Sequence, residues 1–359
     1  MTLREPPLRE AHAAAGATFT EFGGWEMPVD YGSIRAEHRA VRESVGKFDV
    51  SHMGEVTVAG PDAAALADRL TTNDVGRLDP GEAQYTAMVD EDGHLLDDAV
   101  LSRLPSGGFL LVPNAGTDAE TTARWRAHRD EWSLDADVTN VTDDRALFAV
   151  QGPEAVELVD ALATADLSAL PRFDCVRTDV AGVTALVSRT GYTGEDGVEV
   201  LADAADAAAL WDALECQPCG LGARDTLRVE MGYLLAGQDF DSSDDPRTPY
   251  EAGIGFVVAL DTDFVGRDAL AAATDPEERF TGIRLSERAV PRHGYEVVDA
   301  GGRRLGTVTS GTLSPTLDAP VALGYLPADV DEGTEVGVVV RGEPKSGTVE
   351  APPFLERDE

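Results

Sequence analysis

The order of apolar and polar positions divides this chain into short strands and helices, and one pattern occurs twice. Val58-Ala59-Gly60-Pro61-Asp62-Ala63 opens one unit and Val150-Gln151-Gly152-Pro153-Glu154-Ala155 opens another. Each reads as a strand running into a helix. Pro at the first helical position costs no hydrogen bond, and the acid beside it suits the positive helix end. After the first opening the spacing predicts a helix near Ala63 to Leu70, strands at Gln84 to Val89, His94 to Arg103 and Phe109 to Pro113, and a helix near Asp118 to Trp132. The second unit repeats the plan. It has a helix near Glu154 to Leu162, strands at Val176 to Val180, Thr184 to Arg189 and Val198 to Leu201, and a helix near Ala204 to Leu214. Two α+β units in tandem follow from this order.

Past the polar stretch Asp241-Ser242-Ser243-Asp244-Asp245-Pro246, the natural linker, the texture changes. Short β runs at Gly255 to Leu260, Phe280 to Leu285, Tyr295 to Val298, Leu305 to Ser310 and Glu335 to Arg341 alternate with Gly, Pro and Asp turns. A β-rich C-terminal domain is expected. No run approaches the ~18 apolar residues of a membrane helix, and Met1 to Ala15 lacks the basic-then-apolar order of a signal peptide. Cys175, Cys216 and Cys219 form an odd set without secretory context, so a disulfide framework is not expected and the chain reads as cytoplasmic.

Charge changes the picture more than length does. In 359 residues, 66 acids against 29 Lys and Arg give a formal net charge of -37, spread along the chain without an acidic tail. Such a surface repels itself in dilute buffer, whereas at 1 M salt the Debye length falls to about 3 Å and the repulsion is mostly screened. Lys47 and Lys345 are the only lysines; every other basic side chain is Arg. A protein of a very salty cytoplasm is expected. The absence of a basic face argues against nucleic acid as a partner and favours a small molecule or another protein.

Several chemistries drop out. Lys47 follows Gly46 but lacks the rest of a Walker loop, and two lysines leave little room for a pyridoxal-phosphate Schiff base. Gly220-Leu221-Gly222-Ala223-Arg224-Asp225 puts Asp where a dinucleotide fingerprint needs its third Gly. Cys216-Gln217-Pro218-Cys219 is half a zinc site without a second half, and the six histidines show no paired ligand spacing, so no metal is expected.

What remains is concentrated in a few places. Asp97-Asp98 interrupts the apolar run Leu95 to Leu101. Neighbouring strand residues face opposite ways, so the two carboxylates are not an acid/base dyad with each other. Either can be semi-buried with a fixed partner, and an exposed edge acid accounts for either as well. In Arg189-Thr190-Gly191-Tyr192-Thr193-Gly194-Glu195-Asp196-Gly197-Val198-Glu199, three glycines in seven residues allow the backbone close to a ligand, or simply make a hairpin. Gly23-Gly24-Trp25-Glu26-Met27-Pro28 and Val50-Ser51-His52-Met53-Gly54 set aromatic or thioether groups beside polar ones.

Together with Val45 to Asp49, Pro113-Asn114-Ala115-Gly116 and Ala223-Arg224-Asp225-Thr226-Leu227-Arg228, these stretches come in an order that resembles the folate-dependent aminomethyltransferase family of the glycine cleavage system. The resemblance covers nearly the whole chain and weakens after about residue 260. It implies an α+β fold of three domains in a clover-leaf: two α+β antiparallel-sheet domains and a C-terminal β-barrel or jelly-roll-like domain. The first domain is split, residues 1–51 and 141–245, around the second at 52–140, and the third runs from 246 to 359. The implied reaction moves the methylene carbon of an aminomethyl group, carried on the lipoyl arm of the small H-protein, to tetrahydrofolate or a modified pterin, with release of ammonia. By the same resemblance Asp98 is catalytic, beside the reacting pterin nitrogens, while Asp97 is largely structural. Glu199 matches the acid that accepts from the pterin N–H edge, and Asn114 and Tyr192 match channel-lining neighbours. Met53 packs on the ring system, Arg224 matches the arginine near the anionic folate tail, and Arg292 is matched only by its Val290-Pro291-Arg292 context. His94 departs from the family, which usually has a second Gly before the Asp pair. The tail from Pro352 to Glu359 does not carry the closing pattern.

Two other readings share these residues. A folate-dependent demethylase of a methylated amine or sulfonium compound needs no H-protein. A non-catalytic folate-binding factor of iron–sulfur assembly carries a Lys-Gly-Cys motif, which is absent here.

Overall fold

The computed structural model describes residues 2–355; residue 1 and residues 356–359, the ends of the expected first and third domains and of the tail, lie outside the described residues. The fold is α+β and forms two compact units. The first comprises Met1–Met88, Asp97–Arg224 and Asp261–Val265; the second comprises Val89–Leu96, Asp225–Leu260 and Gly266–Glu359. Among the described residues no helix is long and apolar enough to cross a membrane.

The first unit holds two sheets and a hairpin. In the six-stranded sheet the order is Cys175–Val180, Val183–Ser188, Gly197–Asp203, Arg145–Gln151, Gly46–Asp49 and Gln217–Pro218, antiparallel except for the last pair. Its inner face carries Phe148, Val150, Val187, Val198 and Val200, which pack with Val159 and Leu210 from flanking helices in one buried cluster. The five-stranded sheet runs Ala83–Val89, Leu95–Arg103, Phe109–Val112, Val56–Ala59 and Asp137–Asn140. The strand pair Thr18–Phe22 and Trp25–Asp30 is joined by Gly23 and Gly24, both at positive φ (57° and 82°). A two-residue hairpin whose central residues both need φ > 0 favours glycine at both.

The repeated opening is present in both places, with a difference in detail. The strands Val56–Ala59 and Arg145–Gln151 lead through Gly60 and Gly152, at φ 114° and 131°, to the helices Ala63–Leu70 and Ala155–Asp160. Asp62 and Glu154 occupy the cap positions, so each Pro precedes the cap instead of opening the helix. The glycine does the work expected of the proline: a Cβ on Gly152 would run into the carbonyl oxygen of Ser44.

In the second unit six strands close a barrel in the order Glu278–Leu285, Ala319–Pro327, Arg304–Ser314, Glu296–Val298, Glu335–Val340 and Glu343–Glu350, every pair antiparallel. Ile283, Leu285, Val297, Val308, Ala322, Leu326, Val336 and Val338 fill it. Gly255 to Leu260, expected as a strand, instead makes a 3-10 turn at Gly255–Val257, because Val257 and Val258 donate to the carbonyls of Ile254 and Gly255 three residues back. Arg228 is 1% exposed and donates to Asp239 Oδ2 at 2.7 Å, Ser310 Oγ at 2.8 Å and the Tyr233 carbonyl at 3.1 Å. A buried guanidinium needs such a set of acceptors, and this one is structural.

Candidate active site

Strand Leu95–Arg103 alternates strictly, with Leu95, Asp97, Ala99 and Leu101 buried and Leu96, Asp98 and Val100 half-buried between them. The two neighbouring acids therefore meet different surroundings. Asp97 accepts from Asn114 N (3.1 Å) and Nδ2 (2.6 Å), Thr117 Oγ1 (2.7 Å) and Asp98 N (3.0 Å). Burial and then the negative Asp98 push its carboxyl above the usual range, and the Asn114 and Thr117 donors pull it back. Its oxygens are fully engaged in holding the loop after the neighbouring strand. Asp98, on the more open face, accepts from the Tyr85 hydroxyl at 2.5 Å through Oδ2 and from Asn114 Nδ2 at 2.8 Å through Oδ1. Burial, and then Asp98 itself, push the Tyr85 phenol well above its ordinary value, so this hydroxyl stays a donor.

Tight backbone approaches bring the other loops in. Gly54 N donates to the Pro113 carbonyl, and a Cβ on Gly54 would lie 2.8 Å from the Pro113 ring and 3.0 Å from Asp118 Cβ. A Cβ on Gly116 would meet the Gly23 carbonyl oxygen at 2.6 Å. The Asn114 loop is thus pressed between the Gly23 turn and the segment carrying Met53. His52, in that segment, is 1% exposed and has neither ring nitrogen hydrogen-bonded. Burial, and secondarily Arg224, hold it well below its ordinary pKa, so it is neutral.

Across from these, strand Gly197–Asp203 places Glu199, half-buried, opposite Ser188 and Ala149 of the adjoining strands. Thr190 Oγ1 donates to Glu199 Oε2 at 2.5 Å. Burial raises the Glu199 carboxyl, while the Thr190 hydroxyl and the charge of Arg224 lower it. The Arg224 guanidinium stacks 4.2 Å above the Tyr192 ring and comes within 4.0 Å of Met53 Sδ. Tyr192 is in turn near enough to Tyr85 to bear on its ionisation.

Asn114, Asp98 and Tyr85 are joined by hydrogen bonds, Arg224 touches Tyr192 and Met53, and the fields of Tyr192 and Arg224 reach Tyr85 and Glu199; all are in the first unit and half-buried. A half-buried set of two carboxylates, a guanidinium, aromatic faces and a thioether suits a flat heterocycle with N–H donors and an anionic tail. Six of the seven residues expected from sequence are brought together. Arg292 belongs to the second unit, exposed, in the loop before Glu296–Val298. Asn114 donates from its side-chain Nδ2 to both acids. Tyr85 and Thr190 are additions. Thr190 belongs to the Gly-rich run that sequence singles out, whereas Tyr85 carries no signal beyond strand alternation.

At the turn before Leu95, Asp90, Asp92 and His94 hold ligand atoms within 4.8 Å of one another. Asp90 Oδ1 accepts from the backbone N–H of Asp92 and His94, so the turn itself accounts for the cluster.

Comparisons with known proteins agree over the whole chain. A family model described as the GCVT N-terminal domain matches residues 8–262, and one described as the glycine cleavage T-protein C-terminal barrel domain matches residues 279–356. The sequence is 60% identical over 363 residues to a probable aminomethyltransferase of Haloarcula marismortui, covering 99% of this chain and all of that protein. An aminomethyltransferase of Rubrobacter xylanophilus is 45% identical over 363 residues, covering 99% and 95%. The crystal structure of glycine cleavage system aminomethyltransferase T from Bartonella henselae superposes with a TM-score of 0.91 at 33% identity, covering 98% of each chain.

Proposed function

The chain belongs to the glycine cleavage T-protein family of aminomethyltransferases, and on that premise we propose that it moves the methylene carbon of an aminomethyl group, presented on the lipoyl arm of an H-protein, to tetrahydrofolate or a related pterin. Ammonia leaves, and the partner keeps its lipoyl group as the dithiol. The pterin supplies the nucleophilic nitrogen; the rest is positioning and electrostatics by this chain's side chains.

The observation that carries the reading is the pinning of Asp98 by two donors on the open face of its strand. A carboxylate held in one orientation aligns a nitrogen for attack and stabilises the cation that develops as ammonia departs. Glu199 accepts from the N–H edge of the heterocycle, with Arg224 near the anionic tail and Tyr192 and Met53 along the ring. Arg292 is a secondary candidate for the tail, supported by its sequence context alone. The acceptor needs no resident metal. For the domains we propose the division implied by the resemblance, 1–51 with 141–245, then 52–140, then 246–359. Its support is the separation of the six-stranded sheet, the five-stranded sheet and the barrel along the chain.

The test is ammonia release from aminomethylated H-protein and tetrahydrofolate at roughly 2–3 M KCl, where surface repulsion is screened. Asp98→Asn should lower turnover by about two orders of magnitude or more with an unchanged melting curve, the scale of losing a positioned charge in a catalytic site. A near-wild-type rate removes Asp98 from the chemistry. Tight folate binding without release moves the activity to another folate-dependent transfer.

A further inference from the structure

Glu199 is not free to turn. The Thr190 hydroxyl holds its Oε2 at 2.5 Å, and Thr190 is itself held, because its carbonyl accepts from Gln151 Nε2 at 3.0 Å. Gln151 is fully buried, and its other end accepts from Thr193 Oγ1 at 2.9 Å. The loop leaves no slack above Gln151: a Cβ on Gly191 or Gly197 would run into its amide group. The far side is fastened as well, since Arg42 Nη1 donates to the Thr193 carbonyl at 2.7 Å and to Glu195 Oε1 at 2.9 Å. The Gly-rich run is therefore a rigid bracket, and its first hydroxyl is aimed at one carboxylate.

We propose that Thr190 is the positioning residue for Glu199, fixing the carboxylate in the orientation from which it accepts the N–H edge of a flat heterocycle. This rests on the reading above, in which Glu199 meets the pterin. Each carboxylate oxygen has two acceptor sites, so holding Oε2 from one side leaves Oε1 and the remaining site of Oε2 for a pair of parallel donors. The hydroxyl also decides the charge. Glu199's cross-strand neighbours, Ser188 and Ala149, do not ionise, and Arg224 is the charged group that bears on it. Burial favours the neutral acid; Thr190 and Arg224 oppose it. Without the hydroxyl only Arg224 remains against burial, and an acceptor becomes in part a donor facing donors.

Thr190→Val keeps the shape and removes the hydroxyl; Thr190→Ser restores it. In the free protein, the ionisation of Glu199 is followed by the infrared carboxyl stretch, isolated by subtracting the spectrum of Glu199→Gln. The midpoint should rise by about one pH unit or more in Thr190→Val and return close to wild type in Thr190→Ser. Tetrahydrofolate affinity, measured by calorimetry in molar KCl, should fall about tenfold to hundredfold in Thr190→Val, the range for a hydrogen bond to a charged group. The loss should grow as pH is lowered, because the acid form is then more populated. An unmoved midpoint in Thr190→Val overturns the proposal whatever folate does. A moved midpoint with folate binding lost in Glu199→Gln and intact in Thr190→Val also overturns it. Folate binding intact in both variants instead removes Glu199 from the pterin site, which is the failure of the underlying reading.

Discussion

The Tyr85 hydroxyl and the Glu55 carboxyl mark two opposite fates for a buried polar group. Tyr85 donates to Asp98 at 2.5 Å, and its raised pKa keeps the proton in place. Tyr85→Phe removes the Tyr85 donor from Asp98 and leaves the ring, so on the proposed role of Asp98 folding should be retained while turnover falls by about tenfold or more, the scale of one hydrogen bond to a charged group. Steady-state ammonia release beside a melting curve checks this, and an unchanged rate would show that the Tyr85 hydroxyl is dispensable to Asp98. Glu55 is 0% exposed, with neither carboxylate oxygen hydrogen-bonded. Burial, and then Asp118, push its carboxyl well above the ordinary value, against the opposing pull of Arg145 and Arg4. It is therefore held as the neutral acid, and folding takes up a proton at any pH between its unfolded and folded pKa. The folded state then binds more protons than the unfolded one, so stability is fully present below the unfolded pKa and declines as pH rises towards the folded one. The slope from this one group is at most about 1.4 kcal/mol per pH unit. Glu55→Gln should flatten that decline; denaturant titrations of both proteins from acid to mildly alkaline pH in molar KCl measure it, and equal slopes would mean that Glu55 is ionised in the fold.

Elements explain why some of this was legible in advance and some was not. Alternation from Leu95 to Leu101 put the two acids on opposite faces, and the strand does so. Which donors each acid meets depends on Asn114, Thr117 and Tyr85, which lie 13 to 20 positions away and meet Asp97 and Asp98 only once the strands pair. The helix Ile34–Glu43 escapes periodicity for another reason. Its buried stripe is Glu37, His38 and Val41, two polar residues in three, and Glu37 faces inward to accept from the backbone N–H of Tyr31 at 2.7 Å and Gly220 at 2.9 Å. Gly255 to Leu260 misleads in the opposite direction: an apolar run that looks like a strand satisfies its backbone locally in a turn and leaves Phe256 76% exposed. The Gly-rich bracket was legible as glycine chemistry without its target, because Gln151 comes from the neighbouring strand. Gly197 pairs with Gln151, and a Cβ there would press on the Val150 carbonyl oxygen and the Gln151 amide. Gly197→Ala should cost about 1–3 kcal/mol of stability, the range for overpacking a fixed site, read as a lower denaturant midpoint at unchanged slope. An unchanged midpoint would show that the bracket yields.

Across the whole molecule the net charge of -37 outweighs any single contact. Many basic side chains already have a partner, as in Arg4 with Asp118 and Asp143, Arg189 with Asp196, and Arg284 with Glu350. Pairs of this kind that reach solvent each contribute little, and 29 Lys and Arg against 66 acids leave more than half of the acids without a counter-charge from the chain. The balance must come from the solvent. At 0.01 M salt the Debye length is about 30 Å, so acids on all sides of a unit repel one another; at 1 M it is about 3 Å and only adjacent pairs still interact. The melting temperature should therefore climb steeply between about 0.01 and 1 M KCl and then level off, because screening beyond that point removes little further repulsion. Calorimetry or circular dichroism across that series checks the prediction. A melting temperature independent of salt would mean that the acids are spaced widely enough to cost nothing. A rise continuing undiminished above about 2 M would point away from screening to exclusion of salt from the protein surface. The same argument reaches the proposed partner. Under the proposed function, an H-protein with an equally acidic surface would repel this chain at low ionic strength, so its Michaelis constant should fall with added salt over the same range, whereas that for a small folate held near Arg224 should rise or stay level.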